Sequence, residues 1–209
     1  MYVPRHFAES ERRVLHALMR RHDFATLVAV TECGIEAAHL PFLFDEGRGS
    51  EGTLLAHVAR ANPLWRAFDG RSEALVVFQG PHAYISPSWY TAPANVPTWN
   101  YVAVHAYGRP RVIPEGKETR AVLERLVETH ESGFERPWRM ADAPEGFIDS
   151  MVPGIVAFEI PIARLEGKWK LGQNKSAADR LGAAAALRRL GEPLGLEVAA
   201  MMEAVDELR

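Results

Sequence analysis

The chain has 209 residues, with 47% hydrophobic and 24% charged residues, and these globular proportions exclude intrinsic disorder as the class of the whole chain. Its 27 acidic residues slightly outnumber its 24 Lys and Arg, which argues against a broadly basic nucleic-acid binder but leaves room for a local basic patch.

Cysteine usage and apolar runs predict the compartment. The only cysteine, Cys33, has no internal partner for a disulfide, which favours a reducing environment. No apolar run approaches the roughly 18 residues of a membrane span, and the N-terminus lacks the apolar core of a signal peptide. We therefore expect a soluble cytoplasmic protein without membrane contact.

The first part of the chain begins with an amphipathic helix and continues in β-structure. Helical spacing of apolar residues predicts the helix over 9–22, with Ser10 as its N-cap. Its arginines indicate a solvated face or, alternatively, a phosphate contact. β-Branched and apolar runs then predict strands over 24–31, 35–44 and 53–58, a polar loop over 45–52 and a helix near 59–68.

The rest of the chain adds further strands and then helices. Strands are predicted over 74–79 and 83–86, broken by Gly80-Pro81, and over 99–107, 111–113, 155–160 and 165–170; the segment 111–113 continues or pairs with 99–107. Helices are predicted over 117–130, over 176–190 with a Ser176–Asp179 capping box, and over 196–208. Strands with interspersed helices, but without regular βαβ alternation, predict an α+β fold around a barrel.

Two familiar patterns carry little weight. The stretch from Gly47 to Gly52 is a literal G-x-G-x-x-G, but Asp45 and Glu46 precede it and no parallel βαβ unit surrounds it, so we interpret it as an ordinary Gly-rich connection. The eight histidines show no metal-ligand spacing, and packing or hydrogen bonding is the default role for them. We predict no metal site and identify no catalytic residue.

Three segments contain more polar, charged and aromatic side chains than a purely structural role requires. Residues 55–65 place His57, Arg60 and Asn62 at a strand-to-helix junction, which suits a phosphate or simply a capped helix with a surface arginine. Residues 96–108 combine Thr, Trp and Asn at a strand start, which suits a planar heteroaromatic ligand or a core strand. Residues 167–176 are basic and precede a helix, which suits phosphate, ribityl hydroxyls or nucleic acid, or helix capping alone.

Taken together with the opening MYVPRHF and the run VFQGPHAYISPSWY over 77–90, these segments resemble the PaiB-type FMN-binding negative transcriptional regulators. The resemblance covers nearly the whole chain through five ordered motifs. It implies an α+β FMN-binding split β-barrel with flanking and C-terminal helices, similar to pyridoxamine 5′-phosphate oxidase. The implied organisation is a single domain over 1–209, with 176–209 as a C-terminal helical extension, assembled as a homodimer with FMN at the subunit interface.

The resemblance also implies which residues hold FMN. It assigns the phosphate to His57, Arg60 and Asn62. It assigns the flavin ring, with contributions from the partner subunit, to Thr98, Trp99, Asn100, Lys170, Gln173, Asn174 and Lys175. The strongly basic strand of the oxidases is replaced here by Ala37-Ala-His39-Leu-Pro-Phe-Leu, which argues against a phosphorylated pyridoxal-type substrate.

Three functions remain open at this point. The first is a flavin-binding negative regulator of transcription, which contacts DNA directly through the basic N-terminal helix or through another protein, since the sequence shows no helix-turn-helix motif. The second is a flavin-dependent oxidoreductase that uses a reduced nicotinamide. The third is a haem-binding split barrel with His57 or His105 as axial ligand.

Overall fold

Residues 1–206 are described by a computed structural model and contain nine strands and five α-helices. The strands are β1 (Ala8–Glu9), β2 (Phe24–Thr31), β3 (Gly34–Pro41), β4 (Leu43–Asp45), β5 (Thr53–Ala59), β6 (Ala74–Ile85), β7 (Thr98–Gly108), β8 (Arg111–Val112) and β9 (Ile155–Lys170). The helices are α1 (Arg12–Arg21), α2 (Lys117–Glu131), α3 (Phe147–Met151), α4 (Ala177–Leu190) and α5 (Pro193–Glu203). Strands and helices of this kind, with antiparallel pairing, confirm the predicted α+β class.

The chain forms two compact units. The terminal unit comprises Met1–Leu18, Gln79–Val104 and the chain from Glu166 onward, and the central unit comprises Met19–Phe78 and His105–Leu165. The prediction of a single domain over 1–209 stays a prediction, and residues 207–209, which end the predicted extension, lie outside the described part.

The strands form an open antiparallel sheet in the order β3-β2-β6-β7-β9-β5-β4, to which β8 adds by pairing with β9. The central unit contains β2, β3, β4, β5 and β8 and parts of β6, β7 and β9. Its core is aromatic: Phe158 lies 4.5 Å from Phe68 and 6.2 Å from Phe42, measured between ring centroids. A second cluster lies under α2 and is formed by Leu55, Ile113, Val122, Leu126 and Ala157. The predicted pairing of 111–113 with 99–107 is wrong, because β8 pairs with β9 through Arg111 and Glu159.

The terminal unit is built around α4 and α5. Ala183, Ala184 and Leu187 of α4 are buried, as are Val198 and Met202 of α5. The backbone N–H of Asp179 donates to Ser176 Oγ at 3.1 Å, which confirms Ser176 as the N-cap. The Asp179 carboxylate binds Thr91 instead of closing the predicted capping box.

Two predicted strand breaks are absent. Gly80 lies inside the continuous β6 because a Cβ at this position would meet Val102 Cγ2 at 2.5 Å, so the glycine permits close packing and does not mark a turn. β9 continues through Pro161, which pairs with Thr53 at the end of the β5 ladder, where a missing N–H disturbs the pairing least.

Three predicted helices also differ from the structure, either in the residue at which they begin or in the type of helix. The first helix begins at Arg12, because Glu9 pairs with Gly167 in a strand, and Ser10 is therefore not its N-cap. The predicted helix over 59–68 is a 3₁₀ turn over Pro63–Ala67, since the proline disfavours helical backbone at the residue before it. The last helix begins at Pro193, three residues before the predicted start, and Leu208 lies outside the described residues.

Candidate functional site

The end of β9 is tied to the start of β7 by one lysine. The Lys170 ammonium donates to Thr98 Oγ1 and, at 2.6 Å, to the carbonyl oxygen of Trp99. Three of the sequence-predicted residues therefore lie together in the terminal unit. Lys170 touches Trp99 only through the backbone carbonyl. Trp99 is 53% exposed, and its side chain projects from the face of β7 opposite to that of Thr98.

Two further lysines belong to the same part of the terminal unit, and we call Lys168, Lys170 and Lys175 the lysine group. Lys168 is buried and donates to the Tyr2 carbonyl oxygen at 3.1 Å. Lys175 donates to Asn95 Oδ1 at 2.5 Å. The hydrogen-bond acceptors of all three ammonium groups are thus uncharged oxygens.

The electrostatics of Lys170 follow from this arrangement. Burial lowers the pKa of Lys170 below its ordinary value, and the positive charges of Lys168 and Lys175 lower it further. An anion bound here would favour the protonated form of Lys170, because its negative charge offsets the repulsion from Lys168 and Lys175. It would also give the ammonium a charged partner in place of the water that burial has partly removed. The lysine group therefore has the charge and the hydrogen-bonding capacity to bind a phosphate.

The loop between β6 and β7 is fastened to the N-terminal end of α4. Asp179 accepts hydrogen bonds from the backbone N–H of Thr91 at 2.6 Å and from its hydroxyl at 2.8 Å. The Thr91 hydroxyl and backbone bonds, followed by that from Ser176, lower the pKa of the Asp179 carboxyl group. Asn95, the acceptor for Lys175, lies on this fastened loop.

The remaining predicted residues of the late segment have different surroundings. Gln173 Oε1 accepts from the Leu171 N–H at 2.8 Å, and its Nε2 donates to the Trp169 carbonyl at 2.6 Å, so both ends of the amide hold its own turn. Asn174 is exposed and makes no side-chain hydrogen bond within residues 1–206. Asn100 is 2% exposed and donates to Met202 Sδ at 3.3 Å, on the opposite side of β7 from Trp99.

Trp99 also lines an aromatic cleft of about 470 Å³ in the terminal unit. The ring centroids of Tyr84 and His82 lie 5.9 and 6.1 Å from that of Trp99. Leu187 and Leu190 of α4 form its apolar side. Its volume lies within the roughly 300–1,000 Å³ of small-molecule sites.

The predicted phosphate segment lies in the central unit, and its side chains are engaged locally. Arg60 Nε donates to the Pro153 carbonyl at 2.7 Å and its Nη2 to the Ile155 carbonyl at 2.9 Å, while Nη2 also pairs with Glu115. Asn62 Oδ1 accepts from the Leu64 N–H at 3.0 Å and so caps the 3₁₀ turn. The local geometry is that of the alternative interpretation, a capped turn with a surface arginine. The assignment of these residues to FMN stays a prediction.

His57 is the third residue of that segment. Burial lowers its pKa, and its Nδ1 is shielded from solvent without a hydrogen-bond partner in the described residues. The neutral imidazole is therefore the favoured form. Its role in cofactor binding also stays a prediction.

The Gly-rich stretch is an ordinary hairpin loop in the structure. The loop from Gly47 to Gly52 connects the antiparallel strands β4 and β5, so it has no strand–loop–helix geometry for a dinucleotide. Within residues 1–206 no cluster of His, Cys, Asp and Glu has a metal-binding arrangement, and Cys33 is exposed. No helix in that range is long and apolar enough to span a bilayer.

Sequence reasoning missed Lys168, Tyr84 and His82. Lys168 stands two residues before Lys170 in one strand, so both side chains project from the same face. The same alternation relates His82 and Tyr84 in β6. Period-two spacing around the predicted residues is the signal that could have found them.

Comparisons with known proteins place this chain in a family. A family model described as "Putative FMN-binding domain" matches residues 1–164. The chain is 33% identical over 203 residues to the Bacillus subtilis (strain 168) "Protease synthase and sporulation protein PAI 2", covering 97% of both chains. It is 31% identical over 248 residues to a protein of Emericella nidulans, covering 100% of this chain and 99% of that one.

Solved structures agree on the fold. A FAD- and haem-binding protein from Mycobacterium smegmatis has a TM-score of 0.60 at 18% identity, covering 79% of this chain and 74% of its own. A flavocytochrome from Azotobacter vinelandii has a TM-score of 0.56 at 14% identity, and the match covers 82% of this chain and 73% of the flavocytochrome. The open sheet and these neighbours confirm the predicted split-barrel fold. The chain belongs to the FMN-binding domain family as a PaiB-like protein, and FMN is its cofactor.

Proposed function

We propose that this protein is a flavin-dependent negative regulator of transcription, which acts as a homodimer that holds FMN at the subunit interface. The regulatory role is supported by its 33% identity, across 97% of both chains, to a B. subtilis protein named for protease synthase and sporulation. When bound, the flavin supplies redox chemistry, and the protein supplies binding and orientation.

The observation that carries the FMN assignment is the lysine group at the end of β9 and in the turn that follows it. The FMN phosphate bears close to two negative charges at neutral pH, and it requires cationic donors. Lys170 and Lys175 have uncharged acceptors only, so a phosphate would displace no carboxylate from them. The charge and the uncharged acceptors of these lysines therefore fit the FMN phosphate, and Trp99 offers an exposed flat surface elsewhere in the same unit.

The dimer proposal is supported by an exposed apolar sheet face in the central unit. Phe24 and Val30 of β2 are 67% and 63% exposed, and Ile35 of β3 is 77% exposed. Val30 and Ile35 are direct cross-strand partners, and Phe24 lies on the same face of β2 because side chains alternate along a strand. The polar pair Thr26 and His39 lies between Phe24 and Val30 on this face. Large apolar side chains exposed on one face of an edge hairpin support a protein–protein interface there.

A charge placed in this face tests the dimer. Val30→Glu with Ile35→Glu should convert a dimer into a monomer at micromolar concentration, as measured by light scattering. The double variant Glu32→Gln with Glu36→Gln alters the same hairpin without adding charge, and it should remain dimeric. A wild-type protein that is already monomeric would refute the dimer.

The cofactor is tested by the visible spectrum of purified protein before and after addition of FMN. Binding should shift the flavin absorption band, resolve its shoulders more clearly and quench flavin fluorescence. Mobility-shift assays on the protein's own promoter region, across a salt series, then test regulation. Retardation that weakens with salt indicates direct DNA contact, and its absence at every low salt concentration would refute direct DNA binding.

DNA contact has a specific structural expectation. Arg20 of α1 pairs with Glu46 and lies 5.1 Å from the centre of the Phe44 ring, so its charge is already compensated. Arg13 is exposed on the first turn of α1. If binding is direct, Arg13→Ala should therefore weaken it more than Arg20→Ala.

One measurement separates the proposed regulator from a flavin-dependent oxidoreductase. Anaerobic addition of a reduced nicotinamide should leave the bound flavin oxidised if the protein is a regulator without turnover. Rapid bleaching of the flavin band would favour the oxidoreductase interpretation instead. The cytoplasmic location stays a prediction.

A further inference from the structure

Asp179 of α4 is a buried carboxylate that, within residues 1–206, has no Lys or Arg as a partner. Its Oδ1 accepts from the Thr91 N–H at 2.6 Å, from the Thr91 hydroxyl at 2.8 Å and from the Ala92 N–H at 3.4 Å. Burial of a carboxylate is costly unless several donors compensate it. Here these three donors come from one stretch of the loop between β6 and β7, so the charge holds that loop.

A chain of hydrogen bonds leads from Asp179 to Lys175. Asp179 binds the Ala92 N–H, and the Ala92 carbonyl oxygen accepts from Asn95 Nδ2 at 2.8 Å. This bond uses the NH₂ end of the Asn95 amide, so the opposite end, Oδ1, is the one that accepts from the Lys175 ammonium at 2.5 Å. The carboxylate therefore fixes the loop that carries Asn95, and Asn95 fixes the position of the ammonium.

The same loop makes a second contact with Lys175. Tyr90 precedes Thr91, and its ring centroid lies 5.3 Å from Lys175 Nζ, within the range of a cation–π contact. Residues 91–94 are exposed, and an exposed connection is mobile unless bonds tie it to the scaffold. The bonds from Thr91 and Ala92 to Asp179 tie this stretch to α4, so both contacts on Lys175 depend on them.

Lys175 needs such contacts because of its neighbour. The positive charge of Lys175 lowers the pKa of Lys170, so the two ammonium groups are close enough to repel each other. A lysine side chain is long and flexible, and without partners it would turn away from that repulsion into solvent. An ammonium has three donors and Asn95 takes one, so Lys175 keeps donors for a ligand while the loop holds it in place.

We propose that Asp179 is a positioning residue for the FMN phosphate, which acts through the loop by holding the Lys175 ammonium beside that of Lys170. The inference rests on the proposed function, in which the lysine group binds the phosphate. Asp179 itself does not touch the cofactor in this arrangement. Its effect should therefore be confined to the phosphate, and riboflavin, which has the same ring and ribityl chain without the phosphate, should not sense it.

The experiment compares the affinities of FMN and riboflavin for the apo protein by fluorescence titration. Asp179→Asn keeps the shape of the side chain but turns charge-assisted hydrogen bonds into neutral ones, which are roughly half as strong. It should weaken FMN binding by about threefold to tenfold and leave riboflavin binding unchanged, since Lys175 is misplaced but still present. In a Lys175→Met background, Asp179→Asn should have no further effect on FMN, because both changes act through one ammonium.

Two further variants control for folding and for general charge. Asp69→Asn is the matched control, because the Asp69 carboxylate also accepts from two backbone N–H groups, of Arg71 at 2.8 Å and Ser72 at 2.9 Å, but lies in the central unit. It should leave the ratio of the two affinities unchanged. Asn95→Leu breaks the chain of hydrogen bonds at a half-buried residue and should reproduce the FMN-specific loss even if Asp179→Asn fails to fold.

Three results would overturn the positioning role. Equal losses of FMN and riboflavin on Asp179→Asn would make Asp179 a structural residue only. An FMN loss that persists in full in the Lys175→Met background would show that Asp179 acts by another route. Unchanged FMN binding in Asn95→Leu, while Lys175→Met weakens it, would show that the loop does not position the lysine.

Failure of the proposed function gives a different pattern. If wild-type protein bound FMN and riboflavin equally, or if neither Lys170→Met nor Lys175→Met weakened FMN binding, the lysine group would not hold the phosphate. The positioning role would then be refuted together with the site. The thermal midpoint of each variant, measured in parallel, separates lost binding from lost folding.

Discussion

Two basic regions of this protein differ in how their charges are satisfied. In the terminal unit, the acceptors of Lys170 are a hydroxyl and a carbonyl, which are uncharged. In the central unit, Arg60 contacts two carbonyls and also pairs with Glu115. An anion joins the first region without displacing a carboxylate, whereas in the second it must compete with one. Readiness to bind phosphate therefore depends on the partners of a cation and not on its charge alone.

The largest expected effect comes from removing the Lys170 charge. Lys170→Met should weaken FMN binding by about tenfold to a hundredfold, because a hydrogen bond to a charged group is worth roughly 1.5–3 kcal/mol. Riboflavin, which lacks the phosphate, should lose much less. Lys117→Met removes an exposed lysine of α2 and serves as the control. Equal losses for FMN and riboflavin would mean that Lys170 acts through the packing of Thr98 and Trp99.

Gln173 and Asn174 sharpen the distinction between ligand binding and local structure. Gln173→Ala removes two hydrogen bonds to the backbone, at Leu171 and Trp169, and should lower stability by about 1–2 kcal/mol. For a chain of this size the thermal midpoint of the apo protein should fall by roughly 2–8 °C. Asn174→Ala is the matched neighbour and should leave the midpoint unchanged.

The flavin readout of the same pair tests the original site assignment. A fall in FMN affinity on Asn174→Ala, at constant midpoint, would show that Asn174 contacts the cofactor. If Gln173→Ala weakened FMN without changing the apo midpoint, the structural role inferred for its amide would be wrong.

Arg60→Ala tests the second region of the comparison, in which the cation is already paired with a carboxylate, and we expect a smaller effect. The side chain is 38% exposed, so loss of its bonds to the Pro153 and Ile155 carbonyls should cost about 1 kcal/mol of stability. Differential scanning calorimetry of the apo protein measures this loss. An unchanged midpoint together with weaker FMN binding and intact riboflavin binding would instead support the sequence-based assignment of Arg60 to the phosphate.

Local patterns in the sequence predicted much of the fold but little of the side-chain environment. The strand Phe24–Thr31 is confirmed at both ends, because alternation and the turn before Gly34 are encoded locally. The continuity of β6 was not predictable, since the role of Gly80 depends on Val102 in another strand.

The site shows the same division between local and distant information. The resemblance to a family predicted the importance of Lys170 and Trp99, which the structure brings together. Periodicity does not reveal that Arg60 meets Glu115 and Pro153, because these residues are far away in the sequence. The partners of a charged group, which decide its availability, are therefore a tertiary property.

The pH dependence of FMN binding gives the smallest effect and examines Lys170 directly. Burial and the nearby charges of Lys168 and Lys175 lower the pKa of Lys170, and a bound phosphate favours its protonated form. As the pH rises through this lowered pKa, the ammonium loses its proton and FMN binding should weaken. Lys170→Arg keeps its charge at every accessible pH, so its affinity should fall less over the same range. Fluorescence titration of FMN at a series of alkaline pH values measures both proteins, with riboflavin as the ligand that lacks the phosphate. Parallel pH profiles for wild type and Lys170→Arg would show that another group governs the binding, and the lysine group would then lose its assignment to the phosphate.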